Sequence, residues 1–325
     1  MLPLVALASL AMALFLGGGA PTPSPPGLPD PGPVTGWGLP VARLVFDAAA
    51  VATTGLLLLP ALFLDRSSRA TGTWSAALKT ASTTAAVAAV AVAAQIILCA
   101  SDVAGRPISG LNSADVVRFL TTLTQGWALA AQLVIAIGLA MSLAAAANRR
   151  DGAGEWPALI TSLVLVSLPA LVGHSASTRN HTTAAMLLMA HVLGAAVWVG
   201  GLAALVWLAR RAPDQLASAA TRFSSMALGC AVLLGASGVI AGLLHAGWAG
   251  LTSSGYGLLL GAKAVAFTTL VLCGWRHRHV TLPQLALNNA DPHRWRRPFV
   301  RLASTELLIM SLALGTAVAL SRTPV

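Results

Sequence analysis

An all-α, polytopic bundle of about nine membrane-spanning helices is the fold this sequence predicts, on three observations. The first is composition: 56% of the 325 residues are hydrophobic and only 9% are charged, whereas a soluble domain carries about 25% charged residues. So few charges cannot cover a water-exposed surface. The second is spacing, because the apolar residues fall in nine runs, about 2–20, 39–64, 80–100, 126–147, 157–173, 183–209, 226–247, 257–275 and 302–320. Each run, at ~17–27 residues, gives ~25–40 Å of helix, enough for the hydrocarbon core of a bilayer. The third is the lack of the apolar–polar alternation that marks a membrane barrel, so in lipid the runs must satisfy their own backbone hydrogen bonds as helices. Together these exclude a cytoplasmic enzyme of the usual kind, a disordered chain and a protein that reads nucleic-acid bases with a charged face.

Taken in order, the first run contains no Lys or Arg between Met1 and Ala20 and so lacks the charged start of a signal peptide. It reads as a retained helix, giving nine spans, or eight were it cleaved. Residues 21–38, rich in Pro and Gly, read as an extended extracytoplasmic linker. Helices 2–4 then occupy 39–156, and helices 5–9 occupy 157–325.

The net charge of +10 is a topology signal. Of the 20 Lys and Arg residues, 14 lie in the loops 65–79, 148–156, 210–225 and 276–301. The positive-inside rule places these loops in the cytoplasm and the C-terminus outside, which describes a multi-pass membrane protein. The basic stretch 276–301 faces anionic lipid headgroups and needs no nucleic acid to explain it. No loop exceeds about 26 residues, too few for a separate catalytic core. No phosphate-binding Gly-rich loop, nucleophile elbow or His-Glu-x-x-His occurs, so no enzymatic site is expected. Cys99, Cys230 and Cys273 lie in apolar runs without paired spacing, which offers neither a disulfide framework nor a zinc motif.

The polar residues inside the membrane carry the functional signal. His174 ends the fifth run, His181 sits in the short loop after it, His191 lies inside the sixth and His245 is near the outer end of the seventh. They converge by depth on the outer half of the bundle, with Met186 and Met189 between them in sequence. Imidazole suits copper and zinc, and thioether sulfur selects Cu(I), so this set fits capture of copper from outside. Each also has a plain structural reading, as a helix-end or interhelical hydrogen bond for the histidines and as packing for the methionines. His191, Gly194 and Trp198 share one helical face, and Gly200-Gly201 permits close packing or a bend.

Arg43 and Asp47, four residues apart, neutralise one another or leave Asp47 as a metal or proton site. Lys263 needs a carboxylate or a route to the interface. Glu306 is expected to pair with the basic stretch. Asp47, Cys230 and Cys273 are weaker metal candidates, the two cysteines as an inner exit site.

Gly173-His174-Ser175, His191, Trp198-Val199-Gly200-Gly201-Leu202, Arg222-Phe223-Ser224, Ser237-Gly238-Val239, Tyr256-Gly257, Lys263 and Arg301 to Glu306-Leu307 together resemble the copper-resistance D (CopD) family. The likeness spans about 170–320, and Trp37-Gly38-Leu39-Pro40 looks like its actinobacterial branch, where some members carry an added CtaG-like membrane domain. The resemblance implies a multi-pass protein of the plasma (inner) membrane for copper uptake or tolerance, often beside the extracytoplasmic copper-binding protein CopC. It carries the family histidines onto His174 and His191, with His181 and His245 following. The sequence contains no ATPase motif, so copper movement would follow a gradient or be coupled to an ion or a partner, and the lack of a Met-rich or His-rich external tail argues against strong copper buffering by the chain itself. Two other readings stay open. One is a b-type haem protein with His191 and His245 as axial ligands, and the other is a structural or assembly subunit.

Overall fold

The computed structural model describes residues 2–65, 72–148, 154–172, 181–253, 255–287 and 292–323. Helices dominate and, among the described residues, no strand occurs. In order they are α1 (Leu2–Gly17), α2 (Gly32–Leu58), α3 (Thr73–Ala104), α4 (Ser113–Thr122), α5 (Thr124–Ala146), α6 (Glu155–Val172), α7 (His181–Arg211), α8 (Leu216–Ser253), α9 (Gly255–Arg276), α10 (Leu282–Leu287) and α11 (Pro292–Leu320). Among the described residues, seven helices are long and apolar enough to cross a membrane, and α1 and α6 are shorter apolar helices. Each of the nine predicted runs has its helix. The fold is therefore the all-α polytopic bundle that composition and run length require.

The departures lie where the chain is least apolar. Residues 32–38, expected in the linker, form the first turns of α2, because Pro33 at the helix start has its φ preset and loses no helical donor. Pro40 sits inside α2 and cannot donate to the carbonyl of Gly36. The Arg322 guanidinium takes that carbonyl at 3.0 Å, tying the chain's last residues to α2. In the outer loop 101–125, Asn112 and Asp115 form a reciprocal capping box that starts α4. The basic stretch 276–301 is not a plain loop either. It continues as a π-helical turn, His277–Thr281, then α10 and the first turns of α11.

Packing divides the bundle around α2 and α7. On one side α2 meets α3 and α6, and α3 packs on α5. On the other side α7 meets α8 and α11, α8 meets α9, and α1 lies along α11. Hydroxyl pairs tie the first side together: Thr53 to Thr84 at 2.8 Å and Thr54 to Ser162 at 2.6 Å. Where lipid offers no hydrophobic gain between helices, small residues and such bonds hold them. On the second side the Ser9 hydroxyl donates to the Leu312 carbonyl at 2.7 Å, joining α1 to α11.

Candidate metal site

The run from His191 to Leu202 is placed by glycines. At Gly200, α7 touches α2 backbone to backbone: a β-carbon there would lie 2.9 Å from the Gly55 amide nitrogen. A β-carbon at Gly201 would run into the Phe223 ring, whose Cδ2 lies 2.9 Å away and which stacks edge-on with Phe63 at 5.9 Å. One residue before Phe223, Arg222 reaches Oδ1 of Asp65 at 2.6 Å and the Leu62 and Phe63 carbonyls at 3.5 and 3.4 Å. It thereby satisfies carbonyls left over by the π-helical turn Leu59–Phe63 that ends α2. Gly200-Gly201 and Arg222-Phe223 thus form one joint among α2, α7 and α8.

That joint fixes the register two turns away, where the chemistry lies. His191, half-buried on α7, meets Ser237 of α8, with Nδ1 3.0 Å from Oγ. The Ser237 hydroxyl gives its proton to the Leu233 carbonyl at 2.6 Å, so in the histidine contact Nδ1–H is the donor and Oγ the acceptor. Nε2 is left with its lone pair, the form in which imidazole binds a metal. This is the orienting partner that metal-binding histidines usually have. Nearby, Trp198 is buried and stands edge-on to Phe267 of α9 at 6.2 Å. Lys263, one turn before Phe267, lies within electrostatic reach of His191, and among the described residues it has no salt-bridge partner.

Other predicted ligands scatter. His174 lies outside the described residues. His181 is the first residue of α7 and His245 lies in α8, two turns beyond Ser237. Since α7 and α8 run antiparallel, with His191 opposite Ser237 and Gly194 opposite Leu234, His245 comes level with Thr183, close to His181 in height. Two histidine positions therefore sit at one end of the α7–α8 pair, and His191 lies deeper. Met186 is 60% exposed on the outside of α7 and Met189 is half-buried. Neither lies on the His191 face of the helix. Asp47 is engaged by Arg43, whose Nε is 3.1 Å from both carboxylate oxygens. Cys230 is buried on α8 and Cys273 half-buried on α9. Among the described residues, no three His, Cys, Asp or Glu side chains form a group able to hold a metal ion.

Sequence reading missed Ser237 as the partner of His191, since 46 residues separate the two. Its only signal was a hydroxyl and a glycine side by side in an apolar helix. Glu306 does pair with the basic stretch, through His277 at 3.4 Å.

Two family profiles cover most of the chain: the N-terminal domain of copper resistance protein D-like proteins matches residues 34–184, and copper resistance protein D matches 217–320. The chain belongs to the copper resistance protein D family. The two profiles meet across α7, so the His191–Ser237 contact joins the segment between them to the CopD domain proper. A copper transport protein of Bacillus subtilis (strain 168), CutJ, is 31% identical over 165 residues, which is 49% of this chain and 30% of that protein. The match thus spans less than a third of the length of this relative. No solved structure matches the chain.

Proposed function

We propose that the chain passes copper through the membrane from its extracytoplasmic side, with histidine as the ligand at each step. With the basic loops in the cytoplasm, the end of the α7–α8 pair that carries His181 and His245 faces outward, and His174 precedes α7 on that side. These residues form the mouth, and His191 is the next station inward. The supporting observation is the His191–Ser237 contact: an imidazole inside a membrane-spanning helix, held by a hydroxyl of the neighbouring helix with Nδ1 3.0 Å from Oγ. Register argues for a relay over a single cage. His245 lies eight residues of helix from the level of His191, about 12 Å of rise, too far for both to hold one ion.

The same displacement disfavours a haem clamped by His191 and His245, because axial ligands need to flank the iron at one height. The methionines have no part in this reading, since Met186 faces outward and neither shares the His191 face. An extracytoplasmic copper-binding protein of the CopC kind fits as donor to the mouth. The plasma membrane is the fitting location for such a relay.

The test is copper accumulation in cells expressing the chain. His191→Gln abolishes the copper difference between expressing and control cells, while membrane yield of the protein stays that of the wild type. Undiminished accumulation in that variant contradicts the relay.

A further inference from the structure

A second polar pair lies at the basic end of the bundle, away from the His191–Ser237 seam. His277 opens the π-helical turn that follows α9, and Glu306 faces it from α11. Nε2 of His277 is 3.4 Å from Oε1 of Glu306, with 11% and 3% of the two side chains exposed. The Phe299 ring covers the imidazole at 5.1 Å. Neither His277 nitrogen, nor Oε1 of Glu306, has a hydrogen-bond partner among the described residues. A π turn takes in one residue more than an α turn, shifts the side chains that follow and is frequent at functional sites. Here it buries His277 and Thr281 while Arg276, Arg278 and His279 stay exposed.

The surroundings supply little compensation. From α9, Cys273 lies within electrostatic reach of Glu306 and of Arg276. From α11, Arg297 and Arg301 are exposed, as is Asp214 in the turn beside it. The described residues of α10 bear no charge. None of these forms an ion pair with the couple among the described residues. An uncompensated buried carboxylate is strongly disfavoured, and so is an unpaired buried imidazolium. A single proton shared by the couple, on the Glu306 carboxyl beside a neutral imidazole or on His277 beside the carboxylate, avoids both.

We propose that His277 and Glu306 form a one-proton site at the basic end of the bundle, which unloads and reloads its proton as copper passes and so couples copper movement to proton movement. The coupling rests on the copper reading above; the proton site does not. Release carries the proton from the Glu306 carboxyl through Nε2 of His277 to water beside the exposed Arg276–Arg278 face, and reloading reverses the path. No oxidant or further reactant is needed.

The test uses the purified full chain in lipid. Infrared difference spectra recorded against pH show the carbonyl stretch of a protonated carboxyl, which is lost in Glu306→Gln. In His277→Gln the band remains and ceases to respond to pH or to Cu(I), an outcome that a mere structural clamp does not give. In vesicles holding a pH-sensitive dye, Cu(I) added outside produces a proton signal with the wild type and none with Glu306→Gln. A band unchanged by Glu306→Gln, or a proton signal that survives it, overturns the proposal. Wild-type vesicles that move no copper overturn the copper reading and the coupling, while the infrared band still decides the proton site.

Discussion

Two pairs of helices in this bundle, α2 with α7 and α8 with α9, are held differently. In the apolar stretch of α2, 67% of the residues are buried, and in that of α7, 61%; for α8 and α9 the shares are 17% and 11%. The first pair meet at bare backbone, glycine on glycine, and α2 is tied to α3 and α6 by hydroxyl pairs. The second pair expose most of their surface, and several of their glycines stand open: a β-carbon at Gly229 or Gly261 would meet nothing within 4 Å. The singular polar residues sit along the boundary. His191 is on the tight helix and its partner Ser237 on the loose one, while Lys263 and His277 belong to α9 and the turn that follows it. The candidate ligand thus sits where a deeply buried helix meets a sparsely buried one.

The largest expected effect tests the tight half. Gly200→Leu drives a side chain into the backbone of α2, so the loss should exceed the about 1–3 kcal/mol usual for overpacking. The check is the yield of monodisperse protein in detergent, which should collapse. The matching substitution on the loose half, Gly261→Leu, should leave that yield and the thermal midpoint within about 0.5 kcal/mol of wild type. Equal damage from both would erase the contrast between the halves.

Next comes the seam. Ser237→Ala removes the acceptor that sets the His191 tautomer, and loss of an orienting partner lowers metal affinity by about 10–100-fold. A copper titration of the purified variant checks this, and Ser237→Thr, which keeps the hydroxyl, should restore most of the affinity. The smallest effect is Thr54→Val, which breaks the Thr54–Ser162 bond between α2 and α6. Interhelical hydrogen bonds of this kind average about 0.6 kcal/mol, so thermal unfolding should move slightly and copper binding not at all.

Much of this architecture is legible in the residues, and what is not has a physical cause. The helices of the nine apolar runs could be read from length and hydropathy, although among the described residues only seven are long and apolar enough to cross a membrane. The capping box of α4 and the helical turns of 276–301 escaped notice because short charged helices look like loops against so apolar a background. Gly200 and Gly201 announce a close approach, but sequence does not name Gly55 or Phe223 as the bodies approached. Arg43 with Asp47 was readable since both lie on one helix at a spacing of four. Ser237 with His191, and His277 with Glu306, were not, because each joins two helices whose relative register only packing decides. The methionines show the converse: near His191 in sequence, they lie off its face.

The most direct measurement is copper bound per purified chain, determined for the wild type and for His191→Gln after the same exposure to Cu(I). If the boundary between the two halves carries the metal, the wild type retains stoichiometric copper, and the variant, folded and monodisperse, loses most of it. Equal copper in both proteins would place the metal elsewhere and contradict the assignment of His191.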